Sequence, residues 1–276
     1  MGGGAYMNKN VILAPGFYAL QKSPGFSHPI SPHMWQRDGM EDTVRSIIVN
    51  ANLGERGAYR YSDWSFILLQ SVAERALGAS LDQLAHETLF APLRMHRTLY
   101  APWKVGLATH CAPSEHDIFF RREVLQGFVN DRTAAMLGGV AGHAGLFSTA
   151  HNVAIYAEML ARRGSYGGVE VFAPETVDLF TAAPADPADG YRGYGFDKPN
   201  PAHRQRSYVG DSLSLASYGH IGFTGTIMWV DPKEHFIFVL LSNRTYPDAT
   251  NLTINTLRLR GRMMNALYEA VRNHVN

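Results

Sequence analysis

Apolar residues recur at helical spacing along most of the chain and at alternating spacing only toward its end. From Trp64 to Leu77 the positions Phe66, Leu69, Val72, Ala73, Ala76 and Leu77 follow a helical period, and Gly78 closes the run. Glu41 to Ala51 sets Val44, Ile47, Ile48 and Ala51 at the same spacing and predicts a short helix before it. Ser80-Leu81-Asp82-Gln83 reads as a capping box in which Gln83 reaches back to the Ser80 N–H. Its helix carries Leu81, Leu84 and Leu89 and ends before Pro92. Ser148 or Thr149 caps a further helix through Val153, Tyr156, Ala157 and Leu160 that stops at Gly164, and Pro174 opens a short one through Val177 and Phe180.

The period then changes. Ser217 to Ile221, Thr226 to Val230 and His235 to Leu241 are strand-like runs, with Asp231-Pro232-Lys233-Glu234 as a hairpin connection. Ala182 to Asn200 is rich in Pro, Gly and Asp and predicts loop, with Tyr194-Gly195-Phe196 as a strand candidate. Asn251 to Val275 predicts a final helix whose Ile254, Leu257, Met264, Leu267 and Val271 cover the sheet. Residues 1–40 hold Pro15, Pro24, Pro29 and Pro32 without a sustained period, beside Phe17, Tyr18, Phe26 and Trp35, which predicts an irregular segment wrapping over the domain.

Composition narrows the class. A chain of 276 residues with 46% hydrophobic and 11% aromatic content is globular and core-forming, long enough for one good-sized domain and able to hold two. Its 25 basic and 24 acidic residues leave a net charge of +1, which gives no field to attract nucleic acid and points to small-molecule partners. Cys111 is the only cysteine, so no internal disulfide forms, and a buried, incidental thiol is its expected state. No basic segment followed by an apolar core marks a signal peptide, and no apolar run approaches the ~18 residues of a membrane span.

Candidate chemistry gathers at two places. Ser62 or Asp63 offers an oxygen to the first turn of the Trp64 helix, after a turn-rich approach from Gly57 to Arg60. Tyr61 therefore stands just ahead of a helix N-terminus, where the partial positive charge favours a phenolate or an anionic ligand. Far along the chain, His220-Ile221-Gly222 is a strand signal that offers a donor or a pH-dependent charge. The glycine run from Gly138 to Gly145 permits close backbone approach but lacks the Gly-Lys-Ser/Thr of a phosphate loop. The twelve histidines show no metal-ligand spacing, so a metal hydrolase is not indicated, and no paired carboxylates can be assigned to a glycosidase.

Taken in order, Tyr61-Ser62-Asp63, Leu68-Leu69, Ser80-Leu81, Phe90-Ala91-Pro92-Leu93-Arg94-Met95, Gly139 to Thr149 and His220 to Thr226 resemble the serine β-lactamase and penicillin-binding-protein-like family, class C-like. Phe120-Arg121-Arg122, Leu125 to Asp131 and Ala134 to Gly139 resemble, within it, the module fused behind family 3 glycoside hydrolases. The resemblance implies an α+β fold of the β-lactamase/transpeptidase type, with residues 41–276 as one incomplete domain. Residues 41–180 would form its helical region, and 181–276 a C-terminal antiparallel sheet covered by the last helix, with the N-terminal part of the fold missing and a sheet edge exposed. It implies Tyr61 as base or partner of the base, Asp63 where the family usually has asparagine, and His220 as the donor beside Tyr61. It further implies Gly222 for close approach of the ligand, the Phe223 N–H as an oxyanion donor, and His143 and Arg244 as ligand contacts.

The family attacks an acyl carbon through a Ser-x-x-Lys serine. Here the residues three before Lys9, Lys22, Lys104, Lys198 and Lys233 are Tyr6, Ala19, Ala101, Gly195 and Val230, so that motif is absent from this sequence. Two readings stay open: a portion of an acyl-serine hydrolase acting on an ester, amide or D-amino-acid peptide, inactive alone, or a non-catalytic module that binds a cell-wall peptide or acyl ligand. Neither needs a cofactor or a metal. The implied partners are a small acyl or peptide ligand and an upstream domain of the same protein, in an extracytoplasmic setting.

Overall fold

The computed structural model describes residues 14–52, 61–183, 191–202 and 208–275. The chain divides into two units, Met1–Thr88 with Thr98–Phe147, and Leu89–Arg97 with Ser148–Asn276. The fold is α+β, helices with small antiparallel sheets.

In the first unit, β1 (Tyr18–Ala19), β2 (His28–Ser31) and β3 (Met34–Gln36) form an antiparallel sheet in the order β1-β3-β2. Proline spacing predicts irregular chain here. The strands are only two to four residues long; β1 and β3 lie clear of the prolines, β2 takes Pro29 on an outer strand, and Ile30 and Met34 drop into the core. Helices α1 (Met40–Val49) and α2 (Trp64–Leu77) follow, and Gly78 ends α2 in the left-handed conformation at φ 73°. Met40, Val44 and Ile48 of α1 and Ile67 of α2 close over that same core. The expected turn from Gly57 to Arg60 lies outside the described residues.

Helix α3 (Leu81–Ala85) begins where Ser80 predicts, yet no capping box forms. The Leu81 N–H donates instead to Glu74 Oε1 at 3.0 Å, and Gln83 Nε2 donates forward to Glu87 at 2.9 Å. A carboxylate on the preceding helix thus satisfies the first N–H of α3, while the Ser80 side chain makes no capping bond. A π-helical turn, His86–Phe90, carries the chain on from α3. The unit is completed by β4 (Leu99–Tyr100), the hairpin of β5 (Pro113–Asp117) and β6 (Glu123–Gln126), α4 (Arg132–Ala135) and β7 (Leu146–Phe147), which pairs with β4.

The second unit takes in Leu89–Arg97, where Leu93 and Met95 are buried and the Arg97 N–H donates to Asn152 Oδ1 at 3.0 Å. Helix α5 (Ala150–Ala161) starts on Thr149, whose hydroxyl accepts from the Asn152 N–H as expected. The hairpin of β8 (Ser165–Tyr166) and β9 (Val169–Glu170) leads to α6 (Pro174–Thr181). The main sheet orders β10 (Tyr218–Ile221), β11 (Ile227–Asp231) and β12 (Phe236–Leu240) as consecutive antiparallel neighbours.

Tyr194-Gly195-Phe196 is not a strand. The Gly193 N–H bonds the Phe196 carbonyl in a tight turn, and Asp197 then bridges to Gly219 beside β10. The final helix is broken into α7 (Thr253–Thr256) and α8 (Leu259–Val275) by Arg258 at φ 50°. That break resets the helical phase. Met264 and Tyr268 of α8 pack on Ile227, Trp229 and Phe238, whereas Leu257, Leu267 and Val271, expected on the covering face, are exposed. Among the described residues, no helix is long and apolar enough to cross a membrane.

Candidate functional site

The first unit holds the tyrosine motif and the glycine run. Tyr61 is 60% exposed two residues before Asp63, the N-cap of α2. Asp63 makes no capping bond; the Trp64 N–H donates to Ser62 Oγ at 3.3 Å instead. Partial burial raises the Asp63 carboxyl above its ordinary value, with His143 pulling it down and Asp131 pushing it up. These three side chains therefore sense one another.

His143 is placed from two sides. Its Nε2 lies 2.9 Å from Asp131 Oδ1, and its side chain is only 4% exposed. Burial opposes ionisation of Asp131, but the His143 hydrogen bond and charge and the Ala134 N–H hold its carboxyl below the usual range. Asp131 is then an acceptor, and Nε2 carries the proton that it accepts. From the other side, Gln70 of α2 accepts from the Gly142 N–H at 3.0 Å and donates to the Val140 carbonyl at 3.3 Å. Glycine is required at 142, because a Cβ there would stand 2.4 Å from the Phe66 carbonyl oxygen.

Asp131 is in turn held by a buried ion pair. Asp117 accepts from the N–H groups of Phe119, Phe120 and Arg121 and from Arg121 Nε at 2.9 Å. Arg121 spends its remaining nitrogens on the carbonyls of Val129 and Asn130. Burial works against the Asp117 carboxylate, yet the Phe120 N–H and the charge and N–H groups of Arg121 bring its pKa down to about 2.

In the second unit, Ile221 pairs with Ile227, and both belong to the face packed on α8. By strand alternation His220 points to the opposite face. Its Nδ1 lies 2.7 Å from the Ile221 carbonyl and its Nε2 2.9 Å from Arg192 Nη2. Arg192 also pairs with Asp197. Burial, then the charge and hydrogen bond of Asp197, push the Tyr208 phenol well above its ordinary value, so it stays protonated and donates to Asp197. The sequence suggests a donor or a pH-dependent charge at His220; the structure sets a guanidinium against its Nε2.

Gly222 closes a turn, donating to the Thr226 carbonyl at 2.9 Å and accepting from the Gly225 N–H at 3.0 Å. A Cβ at 222 would meet Thr226 Oγ1 at 2.2 Å. Phe223 at the tip is 68% exposed. Arg244 lies over its ring at 4.3 Å, donates to its carbonyl at 2.7 Å and to that of Ala249 at 3.0 Å. Arg244 thus braces the turn that follows β10.

An open cavity of about 700 Å³ lies within the first unit around the other end of α2, among Glu74, Arg75, Asp82 and Trp103, and includes neither Tyr61 nor His143. Among the described residues no three His, Cys, Asp or Glu side chains converge to hold a metal. Cys111 is partly exposed, and burial raises its thiol, which disfavours the reactive thiolate. Sequence reasoning missed Asp131, Gln70, Arg192 and Asp197. Asp131 had a readable signal, an aspartate opening a short helix, and its side chain does accept from the Ala134 N–H. Arg192 had none.

Comparison with known proteins follows the same residues. A family model described as Beta-lactamase matches residues 22–261. An "N-acetylmuramyl-L-alanine amidase" of Bacillus subtilis (strain 168) is 35% identical over 223 residues, covering 76% of this chain and 49% of that protein. A "Putative D-alanyl-D-alanine carboxypeptidase" of Escherichia coli (strain K12) is 34% identical over 201 residues, covering 67% and 45%. The LovD6 mutant of simvastatin synthase from Aspergillus terreus shares the fold with a TM-score of 0.55 at 17% identity, over 83% of this chain and 60% of that one. The chain spans about half the length of the curated relatives it matches.

Proposed function

This chain belongs to the beta-lactamase family, and from that premise we propose that it is the ligand-holding part of an acyl-serine hydrolase acting on an ester, amide or D-amino-acid peptide. One observation carries the reading: the family match runs over residues 22–261 of a sequence that nowhere places a serine three residues before a lysine. The residues that bind and polarise a ligand are then present without the usual nucleophile. Tyr61 takes the part of base or partner of the base, with Asp63, to which His143 is coupled, two residues on in the first unit. Within the second unit, His220, Gly222, Phe223 and Arg244 take the part of ligand contacts, with the Phe223 N–H as an oxyanion donor. The names of the amidase and carboxypeptidase relatives support a cell-wall peptide as ligand and an extracytoplasmic setting.

The test is intact-mass measurement after incubation with benzylpenicillin or a fluorophosphonate, beside calorimetry with a peptide ending in D-alanyl-D-alanine. The expected result is no adduct on the 276-residue chain, with saturable peptide binding that Tyr61→Phe weakens by about tenfold, or roughly 1.4 kcal/mol. A stoichiometric adduct that depends on Tyr61 overturns the missing-nucleophile reading. Absence of peptide binding overturns the ligand assignment.

A further inference from the structure

We propose that Arg192 is a positioning residue that fixes the proton of His220 on Nδ1, so that the ring is neutral and the permanent positive charge of this face of β10 sits on a guanidinium. The argument is one of donors and acceptors. A guanidinium has five N–H groups and no acceptor, so the ring atom 2.9 Å from Arg192 Nη2 must present a lone pair, and that atom is Nε2. A carbonyl oxygen only accepts, so the ring atom 2.7 Å from the Ile221 oxygen must carry a proton, and that atom is Nδ1. The two contacts agree. The other neutral tautomer would set N–H against N–H at Arg192 and lone pair against lone pair at Ile221, and an imidazolium would set N–H against N–H at Arg192.

The guanidinium is not free to swing away from this ring. Asp197 holds it through an ion pair, accepts from the Tyr208 hydroxyl on its second oxygen, and is bridged through its backbone to Gly219 of β10 itself. Arg192 and His220 are therefore tied to one strand by two routes. Among the described residues, the titratable and charged groups around them include Arg192, Asp197 and Tyr208, with Arg260 acting on Tyr208, and Tyr218, which alternates to the same face of β10 and is acted on by Tyr156 of α5 and Asp178 of α6. In this form His220 has no spare proton to give. A ligand reaching this side of β10 meets a guanidinium that does not titrate and is already paired with Asp197, so its recognition here does not use imidazole protonation. The inference rests on the proposed function only in treating β10 as ligand-facing.

The test is a long-range ¹H–¹⁵N correlation spectrum of the histidine rings in the unliganded 276-residue chain at pH 8.5, with His220 assigned by its loss in His220→Gln. A free neutral imidazole prefers its proton on Nε2. The expected wild-type signature is protonated Nδ1 and bare Nε2 at His220, reverting toward the Nε2–H form in Arg192→Ala. Nε2–H in the wild type overturns the proposal without any variant. Nδ1–H undiminished in a folded Arg192→Ala also overturns it, because Ile221 alone would then set the tautomer. No ligand is involved, so failed peptide binding leaves this result standing, and a failed tautomer leaves the peptide measurement standing.

Discussion

A methyl group at residue 142 has nowhere to go. Its carbon would stand 2.4 Å from the Phe66 carbonyl oxygen, so Gly142→Ala must push the glycine run away from α2 and strain both Gln70 hydrogen bonds. The expected loss is about 1–3 kcal/mol, read as a lower denaturant midpoint at constant slope. Asp117 is a harsher site. Asp117→Ala leaves the Arg121 guanidinium buried without its carboxylate and three N–H groups without their acceptor, and should cost about 3–5 kcal/mol by the same measurement. Its pH dependence has a definite sign. A carboxyl whose pKa is lowered to about 2 on folding contributes stability that is fully present above its ordinary value near 4 and is lost as pH falls toward 2. Acid unfolding of wild type should therefore steepen in that window, and the alanine variant should lack that part of the slope.

At the scale of elements, the start of α3 separates two accounts of capping. Ser80 makes no capping bond while Glu74 takes the Leu81 N–H, so Ser80→Ala should change stability by less than about 0.5 kcal/mol. Glu74→Ala should cost about 1 kcal/mol. Thermal unfolding of the two variants reads the difference, and equal losses would restore the local cap. The contrast shows what was legible. The span Trp64–Leu77, the stop at Gly78, the Thr149 cap and the start at Pro174 came directly from the sequence, because each depends on residues within a turn of one another. Glu74 could not be read, because its hold on the Leu81 N–H arises only when two helices meet. The covering face of the last helix differs for two reasons: Arg258 leaves the helical conformation and puts Leu257 out of phase with α8, and within α8 the buried stripe runs through Arg260, Met264 and Tyr268 at four-residue steps, which leaves Leu267 and Val271 outside it. Of the candidate residues, Tyr61 and His220 were each marked by a motif, whereas Arg192 stands 28 residues from the ring it touches in a stretch with no periodic signal.

For the whole molecule, the order of the chain matters as much as its contacts. It enters the second unit at Leu89, leaves at Arg97 and returns for good at Ser148, so no cut yields the two units as intact halves. A fragment of residues 1–147 carries Leu93 and Met95, both buried in the full chain, without Asn152 to take the Arg97 N–H. It should sediment as aggregates where the full chain remains dispersed at equal concentration; a dispersed, cooperatively folding fragment would count against the division. The same threading sets a clock on synthesis. Arg97 is made 55 residues before Asn152, an interval of roughly 3 to 11 seconds at ~5–20 residues per second. During that wait the nascent chain offers Leu93 and Met95 as a short greasy handle, which makes residues 89–97 the place where a ribosome-bound chaperone would take hold.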